Sequence, residues 1–201
     1  MRFTQLGSAV VVAATLAACH TPHRSPLPPA RPEARFDLPL ARAPFDRVEA
    51  NYKERLEQLY AYRELKGTYT ATGRALPELH AALERAGVRA SGPPFALFYD
   101  DPGRVPVADL RSCACIPIEA APAAGSGVEC DVLPRAHVVY AYVAGPYPEV
   151  PRAYPGVYAY LERMGWAEAG PIREIYHVPP ASVTSFDDLV CEVQIPAAPR
   201  P

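Results

Sequence analysis

The carboxylate of Glu174 lies in the middle of an apolar, aromatic stretch, Ile172-Arg173-Glu174-Ile175-Tyr176. A charge in such a setting is costly unless something pairs with it. It is either a solvated residue or the reason a site exists. If the stretch is a strand, Glu174 and Tyr176 share one face and Ile175 takes the other. Two further stretches alternate in the same way. Within 137–143, Tyr140 and Tyr142 oppose Val139, Ala141 and Val143; within 189–195, Glu192 and Gln194 oppose Val193 and Ile195. Placed side by side with their aliphatic faces under the helices, the three strands would share one polar, aromatic face. That face predicts a groove walled by Tyr140, Tyr142, Tyr147, Trp166 and Tyr176, with the carboxylates of Glu174 and Glu192 in it. Such walls suit a flat apolar cation through cation–π and Coulomb attraction. The bland alternative is a wet outer face, as antiparallel sheets often have.

The elements that position these residues occur twice. Gly67-Thr68-Tyr69 matches Gly145-Pro146-Tyr147 at an offset of 78 residues, which continues without a gap through Leu83-Glu84-Arg85/Leu161-Glu162-Arg163 to Gly92-Pro93/Gly170-Pro171. About a third of the aligned positions are identical, too many for chance, and two copies are too few for a solenoid. The pattern predicts one α+β domain made of two strand-helix-strand-strand modules about a pseudo-twofold axis. Copy one runs over about 55–118 and copy two over about 128–196.

Within each copy the local signals agree. Leu76, Leu79 and Leu83 form one helical face over 76–86, with Pro77 in its first turn and Gly87 as the stop. In the second copy Tyr154, Val157, Tyr158 and Leu161 face inward and Gly165 stops the helix. Strands are expected over 56–65 (with a short helical lead-in), 94–99, 110–118, 128–133 as a hairpin partner, 136–143, 172–177 and 189–195. Asp100-Asp101-Pro102-Gly103 is turn chemistry, His80 reads as a partly buried helix histidine, and 196–201 reads as a frayed tail. The core should contain Leu76, Leu79, Leu83, Leu97, Ile116, Val139, Leu161, Ile175, Val193 and Ile195.

The ends and cysteines speak of compartment. Residues 1–19 combine Arg2, a short apolar run and Leu16-Ala17-Ala18-Cys19. Small residues before a cysteine resemble a bacterial lipoprotein signal, which predicts lipidation at Cys19, a membrane anchor and an envelope location, in the outer membrane facing the periplasm. A proline-rich spacer over 20–50 would follow. Export permits disulfides among Cys113, Cys115, Cys130 and Cys191; a bridge from Cys130 to Cys113 or Cys115 is plausible if their strands are neighbours. The spacing lacks the pairs of a zinc site, so no metal and no cofactor are expected. A net charge of −2 leaves no basic footprint for nucleic acid.

Four stretches taken together, GPPFALFYDDPGRVPVADLRSCACIPIE, AYVAGPY, GPIREIYH and LVCEVQIP, resemble the GyrI-like small-molecule-binding domain, also fused to AraC-type and MerR-type regulators. The resemblance places that domain at 51–198. It implies a curved antiparallel sheet of about eight strands with two long helices and a ligand groove between the copies. It also implies a ligand-facing glutamate at the position of Glu174. No DNA-binding segment is expected, because the lipoprotein signal stands in its place. The reading favoured is a non-catalytic module that captures or senses an aromatic or cationic small molecule. The alternatives are a hydrolase of strained cyclopropane-type alkylators, with Glu174 as base and Tyr147 or Tyr176 as partner, and a haem-binding or structural protein with His137 or His177 as ligand. Substituting Cys19→Ala should move the protein from the membrane fraction to the soluble fraction on fractionation; retention in the membrane overturns the lipobox reading.

Overall fold

The structure is a computed structural model that describes residues 36–200. The signal segment, Cys19, His20 and His23 lie outside the described residues. The strands are β1 (Leu40–Ala41), β2 (Asn51–Arg55), β3 (Gln58–Lys66), β4 (Phe95–Phe98), β5 (Arg111–Pro117), β6 (Glu129–Leu133), β7 (Ala136–Ala144), β8 (Trp166–Glu168), β9 (Ile172–Tyr176) and β10 (Val190–Pro199). The helices are α1 (Thr72–Ala86) and α2 (Tyr154–Arg163). All ten strands join one curved, mostly antiparallel sheet, whose main path is β1-β7-β10-β9-β4-β5-β3-β6.

The duplication is visible in the hydrogen-bond register. Ala61 faces Ile116 in copy one, and the equivalent Val139 faces Ile195 in copy two. At the centre β4 and β9 pair antiparallel, with Ala96 opposite Glu174. Those two positions are repeat equivalents, so the pseudo-twofold axis passes between them. Both helices cover the same side of the sheet. Leu79 and Leu83 pack on Ala61, Ile116 and Ile118; Val157 and Leu161 pack on Val139, Ala141, Val193 and Ile195. Each helix ends before a left-handed glycine, Gly87 at φ 68° and Gly165 at φ 67°, a conformation that costs glycine little.

Several expectations need correction. The lead-in before β3 is strand β2, not a helix, and α1 starts four residues before Leu76, so Pro77 sits in its second turn. β6 is no hairpin partner of β7. It crosses to pair with β3, while β2 pairs with β7. The copies thus exchange edge strands. The links Leu56-Glu57 and Pro134-Arg135 are too short to span an open sheet, since each residue reaches at most about 3.6 Å. The sheet must therefore curl until the β2/β3 and β6/β7 ends meet. Its inner face, away from the helices, encloses a second core of Tyr60, Phe95, Leu97, Cys113, Cys115 and Ile175. Cys130, on β6, packs on the helix side instead. With β3 between them and the faces opposed, a Cys130 bridge to Cys113 or Cys115 does not form. His80 is exposed and beside Glu84 (3.3 Å). Residues 196–199 are not frayed: Ala197 pairs with Glu168 and is buried. Of the expected core, all are buried but Leu76, which is half-buried.

The stretch expected as spacer up to residue 50 belongs to the folded unit from residue 36 on. Residues 36–50 form a strap along copy two. β1 lies parallel to β7, the Arg152 guanidinium lies over the Phe45 ring at 5.4 Å, and Val48 crosses α2 at Gly156. A Cβ at Gly156 would sit 2.5 Å from Val48 Cβ, so only glycine allows that crossing. Replacing a helix glycine by alanine normally gains about 1 kcal/mol. Here Gly156→Ala should instead speed hydrogen exchange of the 46–50 amides, and adding Val48→Gly should relieve the clash and recover the gain in melting temperature.

Candidate functional site

A cavity of about 1150 Å³ lies between α1 and α2 over the middle of the sheet. Its walls come in repeat-equivalent pairs: Tyr69 and Tyr147, Leu76 and Tyr154, His80 and Tyr158, Pro94 and Ile172, Phe98 and Tyr176. Glu174 lies at its floor on the axis. The equivalent Ala96 is too small to fill the space opposite. In two of these pairs copy one supplies an apolar side chain, Leu76 or Phe98, where copy two supplies a tyrosine hydroxyl.

Those hydroxyls hold the carboxylate. Tyr154 Oη donates to Glu174 Oε1 at 2.6 Å and Tyr176 Oη donates to Oε2 at 3.0 Å. Tyr147 braces the arrangement: its ring lies 4.6 Å from that of Tyr176, and its hydroxyl donates to the Val178 carbonyl. Glu174 is 3% exposed, and no Lys, Arg or His among the described residues pairs with it. Burial therefore raises its pKa to about 7, against the pull of the two tyrosine hydrogen bonds. The same burial, and the carboxylate itself, push both tyrosines well above their usual range, so they remain donors. The site is an aromatic groove whose floor carries one weakly compensated negative charge near neutral pH.

The predicted residues divide. Glu174, Tyr176 and Tyr147 come together as expected, but on the helix side of the sheet. Ile175, expected under the helices, turns to the inner core instead, so the face of this strand is the reverse of the one expected. Tyr140, Tyr142 and Glu192 lie on the opposite, inner face of the sheet, which corrects the single polar face drawn from alternation. The register sets Glu174 against Val193 and Glu192 against Ile175, so the polar rows of neighbouring strands point opposite ways. On the inner face Burial opposes the Glu192 charge, but hydrogen bonds from His177, Lys53 and Gln194 outweigh it and hold its pKa at about 2. Lys53 Nζ lies 2.7 Å from that carboxylate and 4.0 Å from the centre of the Tyr140 ring. Trp166 sits away from the groove, edge-on to Tyr52 at 5.3 Å. Tyr154 is the contact that sequence reasoning placed in the helix core rather than in the site. Its spacing one turn before Tyr158, on the inward face, was the available signal. Among the described residues no cluster of His, Cys, Asp and Glu could hold a metal.

A duplicated α+β sheet with a ligand-sized groove between its two helices defines a small-molecule-binding domain. The sequence profile of the GyrI-like small molecule binding domain matches residues 51–198, and the chain belongs to that family. Solved structures share the fold. The EcmrR C-terminal domain superposes with a TM-score of 0.68 at 17% identity, covering 76% of this chain and 99% of its own. A hydrolase encoded by lin2189 from Listeria innocua gives 0.54 at 10% identity, covering 75% and 92%. SAV2435 bound to tetraphenylphosphonium gives 0.53 at 10%, covering 75% and 94%. No curated protein matches by sequence.

A carboxylate near pKa 4.5 unfolded and about 7 folded binds its proton more tightly in the native state. Its effect on stability is absent below pH 4.5, grows as pH rises, and is a full penalty above pH 7, equivalent to roughly 3 kcal/mol at most. Glu174→Gln should therefore raise the melting temperature at pH 8 and change it little at pH 4.5. Equal melting curves at pH 8 would show that the carboxylate is not desolvated.

Proposed function

We propose that the groove captures or senses a lipophilic aromatic cation, with Glu174 as its counter-charge. The observation that carries this reading is a buried carboxylate held by two neutral tyrosine hydroxyls and, among the described residues, by no cation. A ligand cation seated over Tyr147, Tyr154 and Tyr176 would supply the missing charge and gain cation–π attraction from the rings. SAV2435, a protein of the same fold, takes tetraphenylphosphonium, an ion of this class. The lipobox reading of Cys19 adds that the domain is an envelope-anchored receptor, with the proline-rich residues before the strap as its spacer.

A second reading rests on the same carboxylate. A pKa of about 7 suits a general base, and a Listeria innocua protein of this fold is a hydrolase. In that case Glu174 directs water onto a strained electrophile, and turnover disappears in Glu174→Gln.

Tetraphenylphosphonium carries a charge that does not titrate, so it isolates the protein's contribution. Its affinity, measured by isothermal titration calorimetry, should rise as pH goes from 6 to 8 and Glu174 ionises. Glu174→Gln should weaken it at least tenfold at pH 8 and flatten the pH dependence. Equal affinities in the two proteins would mean that the groove recognises shape alone.

A further inference from the structure

The inner face of the curled sheet holds a charge pair that the groove does not use. Arg173, on β9, is 4% exposed. Its guanidinium stacks 3.9 Å over the Phe95 ring and donates one hydrogen bond, to Gln58 Oε1. Its Nε–H has no partner among the described residues. Arg55, half-buried at the end of β2, donates to the Pro134 carbonyl at 2.7 Å and likewise leaves Nε–H without a partner. Neither guanidinium pairs with a carboxylate among the described residues. The buried carboxylate of this face, Glu192, is engaged by Lys53, His177 and Gln194. Gln194 stands beside Arg173 in register and is 3% exposed, with its Oε1 also unpartnered.

We propose that Arg55 and Arg173 form a second binding site, for a small oxyanion that also carries an O–H donor, such as hydrogen phosphate or an α-hydroxy carboxylate.

The repeat supplies an independent argument. The equivalents of Arg173 and Arg55 in the other copy are Phe95 and Leu133, both buried and apolar. The fold is thus satisfied by hydrocarbon at these two positions, and the guanidiniums are additions to it. A buried cation without a partner is costly, and replacing it by an apolar residue of like size is often neutral or stabilising. Burial, and then the positive charge of Arg55, depress Arg173 to about 10, and the more distant attraction of Glu192, already engaged by Lys53, does not offset them. Arginine's planar fork matches carboxylate and phosphate oxygens. The location fits as well. Arg55 and Gln58 flank the short link between β2 and β3, and Arg173 reaches Gln58 from β9, so the two guanidiniums gather at one place on the inner face. An oxyanion there would accept from both Nε–H groups, and its own O–H would donate to Gln194 Oε1. The site faces away from the helices, so it is separate from the Glu174 groove.

The test is calorimetric titration of the full chain with inorganic phosphate and with glycolate, in a chloride-only zwitterionic buffer. At least one of the two anions should saturate one site per chain. Arg55→Gln, at the less buried of the two arginines, should weaken that binding at least tenfold with an unchanged circular dichroism spectrum. Arg173→Met should abolish it and melt no lower than the parent in the same buffer without phosphate or glycolate. Glu174→Gln, which is decisive for the groove, should leave anion binding unchanged, so the two sites stand or fall separately. Saturation by neither anion overturns the proposal, and so does equal affinity in Arg55→Gln.

Discussion

The structure turns on one desolvated carboxylate placed on an axis of near-symmetry. Duplication gives the two halves matching backbones, so anything that makes the groove directional must come from side chains. At the axis the two copies contribute Ala96 and Glu174, adjacent across the β4–β9 pair. Alanine leaves room and glutamate brings charge. The adjoining walls follow the same division, with Leu76 and Phe98 from one copy facing Tyr154 and Tyr176 from the other. A symmetric scaffold thereby holds an asymmetric site, with an apolar wall on one side and hydroxyl donors on the other. The two tyrosines satisfy the carboxylate oxygens without neutralising them, and the charge is left for a ligand.

The two faces of the sheet treat charge in opposite ways. The helix side buries an acid that no base among the described residues pairs with. The inner side buries Arg173 with no acid among the described residues paired to it, and binds Glu192 tightly to Lys53. A single sheet separates these environments. Their strands are shared, however: Arg173 and Glu174 are consecutive on β9, so each face is set by the position of its neighbour. A one-residue slip of β9 would put the guanidinium in the cation-seeking groove and the carboxylate among the inner aromatics. Both faces being buried at this strand makes that slip costly and the register firm.

Edge strands are managed by exchange. β2 belongs in sequence to copy one and pairs with copy two; β6 does the reverse. Each copy therefore closes the other's open edge, which would otherwise invite pairing between chains. The strap over 36–50 adds to this. It covers the remaining edge of β7 with β1 and crosses α2 at the one glycine where backbone and Val48 can approach so closely.

Much of this was legible in the sequence. The ungapped repeat determined the number of copies, the positions of α1 and α2, and the equivalence of their core residues. The alternation within 172–176 put Glu174 and Tyr176 together, and the apolar setting of Glu174 marked it as costly to bury. The resemblance of four stretches to the GyrI-like domain pointed to the family. What only the tertiary structure decided was which rows of different strands share a face. A period of two fixes the faces of one strand relative to itself. It does not say whether Glu174 lies beside Glu192 or beside Val193, because that depends on hydrogen-bond register between strands more than ten residues apart in the chain. The same long-range pairing sent Tyr140 and Tyr142 to the inner face, separated Cys130 from Cys113 and Cys115, and brought Tyr154 from the helix to the carboxylate. Periodicity is local; register is set by the packing of both faces at once, and only the folded chain has both.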